Sequence, residues 1–174
     1  MNIGNLEGVT DLRGRLYGSE SYAVRPLSDL GPNGLLKFLV IHHTATQGDV
    51  SAKSIARYHA ETLGWPGIGY HFLVHQDGVT EYVGDILTVR HNVAKRNHEV
   101  IGVCLPGDFM RHSPITSHLE AARLLVINLQ YSLGWPVPII GHCEAALPGF
   151  GTSCPGKSFL GGPRWKDRLT GANA

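Results

Sequence analysis

The chain has 174 residues, of which 43% are hydrophobic and 17% are charged. This length and composition are typical of one globular domain with a substantial apolar core, and they exclude a disordered tail. The formal net charge of +1 gives no basic field for binding nucleic acid. The lysines and arginines form no long run, so the sequence lacks a polybasic patch for an anionic membrane.

The cysteines and the first residues of the chain indicate the cellular compartment in which the protein is made. Cys104, Cys143 and Cys154 are odd in number and lack the spacing of a disulfide framework, so we expect no structural disulfide. Residues 1–16 contain no apolar segment typical of a signal peptide, and no apolar run is long enough to span a bilayer. We therefore expect synthesis in the cytoplasm and no insertion into a membrane.

The chain divides into an extension and one domain. Residues 1–36 contain closely spaced Gly, Pro, Asn and Asp with little hydrophobic periodicity, which predicts an N-terminal extension packed on a domain formed by residues 37–174. The apolar run 37–42 predicts the first buried strand of that domain.

The middle of the chain predicts one helix and one hairpin. Apolar residues at helical spacing indicate a helix over 51–63, and Gly64 is a natural residue for ending it. The runs 69–75 and 79–83 flank the turn residues 76–78, as the two strands of a β-hairpin do.

The second half adds two strands and a long helix. A continuous apolar run predicts a buried strand over 100–105, and Ser117 with Glu120 forms a capping-box pattern at the start of a helix over 117–133. The run 137–140 predicts a further strand.

A last helix is expected to begin at Pro163. Together these elements predict an α/β fold in which a central mixed sheet of about five strands is flanked by two or three helices.

Two predicted strands end in histidine. The first leads into the pair His42–His43, and strand alternation lets only one of the pair face a given side of the sheet. The last leads into His142, and Cys154 follows in a loop rich in Pro and Gly. Two imidazoles and one thiolate are ligands that suit zinc, and three protein ligands leave one coordination position for water.

A family resemblance appears once the motifs are placed in order. The chain resembles the zinc-dependent N-acetylmuramoyl-L-alanine amidases, which include peptidoglycan recognition proteins and bacteriophage lysozyme-type amidases. The motifs are HHTA at 42–45, WPGIGYHF at 65–72, DG at 77–78, His91, NHEVIGV at 97–103, GDF at 107–109, GH at 141–142 and TSCPG at 152–156.

The resemblance implies an active site. It assigns His42, His142 and Cys154 to one zinc ion and catalytic roles to Tyr70 and Thr152. Three further residues fall where the family lines its peptidoglycan groove: Trp65, His91 and Asn97.

Two features depart from the family pattern. The loop between His142 and Cys154 is longer than in typical members, and this bears on the placement of Thr152. Cys104 occupies the strand position at which another branch of the family has a catalytic glutamate, and this favours a mechanism that uses Tyr70.

The implied activity is hydrolysis of the amide bond between N-acetylmuramic acid and L-alanine by a zinc-bound water. We expect a monomeric phage-type endolysin that has no separate wall-binding domain and acts on the cell wall after release from the cytoplasm. The alternatives are a non-catalytic peptidoglycan-binding module, a cytosolic muropeptide-recycling amidase, a zinc peptidase that cuts within the stem peptide, and a structural zinc site.

Overall fold

The computed structural model describes residue 6 and residues 8–19, 21–161 and 164–171. Within this part of the chain, six strands form one mixed sheet in the order β1-β4-β3-β5-β2-β6. The strands are β1 (Val9–Asp11), β2 (Phe38–His43), β3 (Phe72–Val74), β4 (Thr80–Tyr82), β5 (Val100–Leu105) and β6 (Ile139–Gly141). The α-helices are α1 (Ala52–Arg57), α2 (Thr116–Leu133), α3 (His142–Ala145) and α4 (Trp165–Thr170).

The centre of the sheet is parallel. β2 pairs in parallel with β5 on one side and with β6 on the other, while β3 and β4 form the predicted antiparallel hairpin. Every residue of β5 is buried, and in β2 only Phe38 is partly exposed. Such burial on both faces explains why these two strands are continuous apolar runs in the sequence. The predicted α/β fold with a mixed sheet is confirmed.

The sixth strand comes from the N-terminal extension. β1 pairs in parallel with β4 at the edge of the sheet. Its three residues are partly or fully exposed, so they lack the apolar alternation by which a sequence reveals a strand. The described sheet therefore has one strand, β1, that the sequence did not indicate, beside the five that it did.

The region predicted as the first helix contains two helical types. α1 begins after Ser51, whose hydroxyl accepts a hydrogen bond from the Ser54 amide, and a π-helical turn (Tyr58–Thr62) continues it. Gly64 follows with a φ of +68°, a conformation that favours glycine at the end of a helix.

The long helix α2 agrees with prediction except at its start. Ile115 is the N-cap residue and makes no side-chain capping bond. The Ser117 hydroxyl instead donates to the Gln76 carbonyl at 2.7 Å, so the predicted capping box was wrong. This bond joins the start of α2 to the turn of the hairpin.

The last strand is placed differently from the prediction. β6 ends at Gly141, and His142 is the first residue of the short helix α3 rather than the last residue of a strand. Glu144 of α3 accepts hydrogen bonds from the Gly141 amide and from the Lys166 ammonium group. α4 begins at Trp165, and the predicted helix start at Pro163 lies outside the described residues.

Alternate residues of β2 enter different cores. Leu39 and Ile41 belong to the core formed with α2 and α4, whereas Val40 faces the opposite side of the sheet. His42 therefore shares a face with Val40, and His43 lies beside Phe109 on the α2 side. Among the described residues, no helix combines the length and apolar character that a membrane crossing requires.

Candidate metal centre

Three potential metal ligands meet at one edge of the sheet. Ligand atoms of His42, His142 and Cys154 all lie within 4.8 Å of one another. β2 and β6 are parallel neighbours in which Ile41 lies opposite Gly141. The next residue along each segment, His42 or His142, consequently reaches the same edge. The structure thus brings the three predicted ligands together, in an arrangement that could hold a metal ion.

Hydrogen bonds fix the loop that carries Cys154. The sulfur accepts a hydrogen bond from the His43 amide at 3.4 Å, and the Cys154 carbonyl accepts one from the Cys143 amide at 2.7 Å. The Thr152 hydroxyl oxygen accepts from the Cys154 amide at 3.1 Å. All three cysteines are free thiols, as expected. Despite its length, the loop therefore presents the Cys154 sulfur to both histidines.

Burial sets the protonation of the cluster. It lowers the pKa of His42 well below the ordinary value, and the neighbouring His142 lowers this pKa further. Burial also lowers the pKa of His142, with a smaller contribution from His43. Burial raises the pKa of the Cys154 thiol to about 12, although the hydrogen bond from the His43 backbone opposes this. Both imidazoles are neutral and have a free lone pair, as metal ligation requires.

Tyr70 lies beside the cluster. The centroids of its ring and the His42 ring are 5.2 Å apart. Burial raises the pKa of the Tyr70 hydroxyl well above its ordinary value, and the thiols of Cys104 and Cys154 raise it further. The hydroxyl remains protonated at neutral pH, so it can donate a hydrogen bond next to the metal ligands.

The cluster opens into a cavity of about 410 Å³. The residues that line it are His42, His43, Ala45, Trp65, Tyr70, His91, Asn92, Met110, His142, Thr152, Ser153 and Cys154. Trp65 and His91 form one wall, with their ring centroids 5.6 Å apart and their planes nearly perpendicular. Thr152 lies at the cavity in spite of the longer loop. The predicted catalytic residues and two of the three predicted groove residues therefore face one space.

Asn97 is not among the residues that line this cavity. Its side-chain oxygen accepts hydrogen bonds from the backbone amides of Asn92 and Val93, each at 2.9 Å. The Asn97 oxygen therefore supports its own loop, and a contact of Asn97 with peptidoglycan stays a prediction.

Two residues near the cluster were not predicted as site residues. Asn92 places its side-chain oxygen 3.2 Å from Nε2 of His42. His59 is buried and lines a second cavity of about 560 Å³ that shares Trp65 and Tyr70 with the first. Asn92 directly follows His91 in the sequence, and this adjacency is the only signal that could have indicated it.

The sequence matches a known protein family and is similar to several known proteins. Residues 32–157 match the family described as N-acetylmuramoyl-L-alanine amidase. A peptidoglycan-recognition protein of Drosophila simulans is 28% identical over an alignment of 183 positions, gaps included, that covers 92% of this chain and 94% of that protein. The endolysin of Klebsiella phage KP32 is 31% identical over 121 residues, which cover 64% of this chain and 80% of the endolysin.

A solved structure has the same fold. The Ph2119 endolysin from Thermus scotoductus MAT2119 bacteriophage Ph2119 superimposes with a TM-score of 0.73 at 24% sequence identity, covering 92% of this chain and 98% of the endolysin. The family match spans well over half of the sequence and includes His42, Tyr70, His142 and Cys154. The chain therefore belongs to the N-acetylmuramoyl-L-alanine amidase family.

Proposed function

We propose that this protein is a zinc-dependent peptidoglycan hydrolase that cleaves the amide bond between N-acetylmuramic acid and the L-alanine of the stem peptide. The observation that carries the proposal is the convergence of His42, His142 and Cys154 at an open cavity. Membership of the amidase family and the similarity to phage endolysins support it.

The donor set fits zinc. Two neutral imidazoles and one thiolate are established zinc ligands, and the cluster in the described part of the chain comprises only these three side chains. Three ligands favour a catalytic site over a closed structural site with four. When bound, the ion supplies a Lewis acid for the amide carbonyl and lowers the pKa of a bound water to about 7.

Tyr70 has the properties of an oxyanion donor. Its hydroxyl remains protonated and lies beside the metal ligands, so it can donate to the carbonyl oxygen as this oxygen gains negative charge. Such a donor lowers the barrier by roughly 3 kcal/mol. The Thr152 hydroxyl oxygen already accepts a hydrogen bond from the Cys154 amide. We assign the hydrogen of the same hydroxyl to a hydrogen bond with the attacking water.

Peptidoglycan is the proposed binding partner. The aromatic wall formed by Trp65 and His91 provides flat surfaces for the muramic acid and the start of the stem peptide. The second cavity continues from this wall along α1 and is lined mainly by apolar and aromatic side chains, including Ile55 and Tyr58. We assign this second cavity to the remaining stem residues.

The proposed biological role is lysis of a host cell by a monomer that reaches the wall after release from the cytoplasm. The similarity to phage endolysins favours this role over muropeptide recycling. Initial rates on intact peptidoglycan and on a soluble anhydro-muropeptide separate the two roles. Lysis predicts the higher rate on intact peptidoglycan, whereas a preference for the soluble compound would indicate recycling.

Mass spectrometry of the digested wall tests the reaction itself. We expect free stem peptides that begin with an L-alanine amino group and glycan strands that keep an intact lactyl carboxylate. Products cut within the stem peptide would instead indicate a zinc peptidase. Binding to peptidoglycan without any released product would indicate a recognition module.

A further inference from the structure

Asn92 contacts the edge of the His42 ring that lies opposite Cys154. Its side-chain oxygen lies 3.2 Å from Nε2 of His42. On the other side of the same ring, Nδ1 lies 3.8 Å from the Cys154 sulfur. The imidazole is thus placed between an amide and a thiol, and which nitrogen carries its proton decides whether it can ligate.

The orientation of the Asn92 amide is determined by its other partners. The amide nitrogen donates to the Gly69 carbonyl at 3.0 Å and to the Arg90 carbonyl at 3.2 Å. Rotating the amide by half a turn would place its oxygen against these two carbonyl oxygens, and two acceptors cannot form a hydrogen bond with each other. The oxygen must therefore face His42.

This orientation selects one tautomer of His42. An amide oxygen can only accept a hydrogen bond, so Nε2 must carry the proton that it receives. In the neutral imidazole, Nδ1 then has the lone pair, and Nδ1 is the nitrogen that faces Cys154. The proton stays on Nε2, so it does not compete with a metal for the lone pair of Nδ1.

The surrounding chain keeps Asn92 in place. Its backbone amide donates to the Asn97 side chain, which closes the loop on which Asn92 lies. Gly102 of β5 lies directly beneath the Asn92 side chain. A Cβ atom added at Gly102 would come within 2.9 Å of the Asn92 Cγ atom. A loop and a central strand are thus both adapted to this one side chain.

We propose that Asn92 is a positioning residue for the candidate metal centre: it holds His42 in the Nε2-protonated tautomer and so leaves the Nδ1 lone pair, on the side of Cys154, available to a metal. The inference rests on the proposed function for the presence of the metal. Asn92 does not touch the metal, and its contribution is made entirely through His42. Partners of this kind, which hydrogen-bond to a ligating histidine, typically change metal affinity by about 10- to 100-fold when removed.

The test compares Asn92→Leu with Asn92→Asp. Asn92→Leu removes the acceptor with little change in size, and we expect zinc affinity, measured by competition with a chelator, to fall about 10- to 100-fold. Asn92→Asp and Asn92→Leu both lose the two bonds that the amide nitrogen donates, but Asn92→Asp keeps an oxygen toward His42, and its affinity is expected to stay within a few-fold of wild type. Asn128→Leu on α2 is the matched control and should leave affinity unchanged.

A second readout does not depend on the metal. Two-bond ¹H–¹⁵N NMR spectra of the metal-free protein should show His42 protonated at Nε2 in the wild type and a mixture of tautomers in Asn92→Leu. Wild-type zinc affinity in Asn92→Leu, together with an unchanged tautomer, would overturn the proposal.

The two readouts also separate this proposal from the proposed function. If the wild-type protein binds no zinc at the cluster, the proposed function fails and the role in metal binding fails with it. The His42 tautomer in metal-free wild type and in a variant without the acceptor still decides whether Asn92 sets it. Asn92→Ala, which also lacks the acceptor, takes the place of Asn92→Leu if that variant does not fold.

Discussion

Tyr70 is the residue whose environment most clearly favours chemistry over packing. A tyrosine next to an apolar strand usually contributes apolar area, but Tyr70 lies in the loop before β3 beside the candidate metal ligands, and burial raises the pKa of its hydroxyl well above the ordinary value. A buried hydroxyl with this pKa can donate a hydrogen bond and cannot act as a phenolate base. In the proposed reaction, Tyr70 is therefore assigned to charge stabilisation rather than to proton abstraction.

Tyr70→Phe is predicted to lower kcat about 100-fold while zinc content stays at the wild-type level, because only the oxyanion donor is removed. Steady-state kinetics on peptidoglycan together with metal analysis check this. Tyr131→Phe is the control, since Tyr131 is exposed on α2. A wild-type kcat in Tyr70→Phe would show that Tyr70 only packs.

Gly102 shows how a residue without a side chain contributes to the site. The motif around it was visible in the sequence, but the reason for glycine was not, because the space it leaves is filled by Asn92 from another segment of the chain. Contacts of this kind depend on the folded arrangement and leave no local pattern.

Gly102→Ala is predicted to lower the free energy of unfolding by about 1–3 kcal/mol, because the added methyl group overpacks a buried strand. It should also weaken zinc binding, since Asn92 is displaced from His42. Urea denaturation and chelator competition measure the two effects. Gly151→Ala is the control, as open space surrounds that position, and equal stability of the two variants would contradict the packing argument.

At the scale of elements, the sequence predicted best those parts whose burial is uniform. β2 and β5 were identified from continuous apolar runs, because both faces of each strand are covered. β1 and α3 were not identified. β1 is largely exposed, and α3 is a single turn whose first residue was assigned to the preceding strand.

The site was predictable to a similar extent. The ligands and Tyr70 lie in motifs next to strong strands, and the structure brings them to one edge of the sheet. Asn92 and the loop role of Asn97 were not predictable, because they arise from hydrogen bonds within an irregular loop.

His75 joins two elements through a pair of carboxylates. Nδ1 lies 2.6 Å from the Asp49 carboxylate, which precedes α1, and Nε2 lies 3.0 Å from the Glu81 carboxylate on β4. Asp49 also accepts a hydrogen bond from the Gln76 amide. Both ring nitrogens must donate to satisfy both carboxylates, so the arrangement requires a protonated imidazole.

This arrangement predicts a pH-dependent contribution to stability. Burial alone would lower the pKa of His75, but the hydrogen bonds to Glu81 and Asp49 outweigh it and raise the pKa above the ordinary value. A raised pKa in the folded state stabilises the protein fully below the unfolded pKa of about 6.5. The contribution is lost as the pH rises through the folded pKa.

The measurement is the difference in unfolding free energy between wild type and His75→Gln. We expect a larger difference at about pH 5.5 than at about pH 8.5. Taking the difference removes the opposite pH dependence of the buried neutral histidines. A difference that is the same at both pH values would contradict a protonated His75.

At the scale of the whole molecule, the N-terminal extension is part of the architecture. It supplies β1, and the Tyr22 hydroxyl donates to the Gly67 carbonyl at 2.8 Å. Tyr22 also packs its ring edge-to-face against His91, with centroids 5.1 Å apart. The extension therefore supports the loop that carries Trp65 and the wall of the cavity, rather than only packing on a finished domain.

The candidate metal centre likewise depends on the whole chain, because β2, the segment after β6 and a late loop each contribute one potential ligand. Titration with Co²⁺ in place of zinc tests this most directly, since a cobalt–thiolate bond gives a near-ultraviolet charge-transfer band. The account predicts that one equivalent of Co²⁺ produces the band in wild type and in Cys143→Ser but not in Cys154→Ser. A band that persists in Cys154→Ser, or no binding by the wild-type protein, would contradict it.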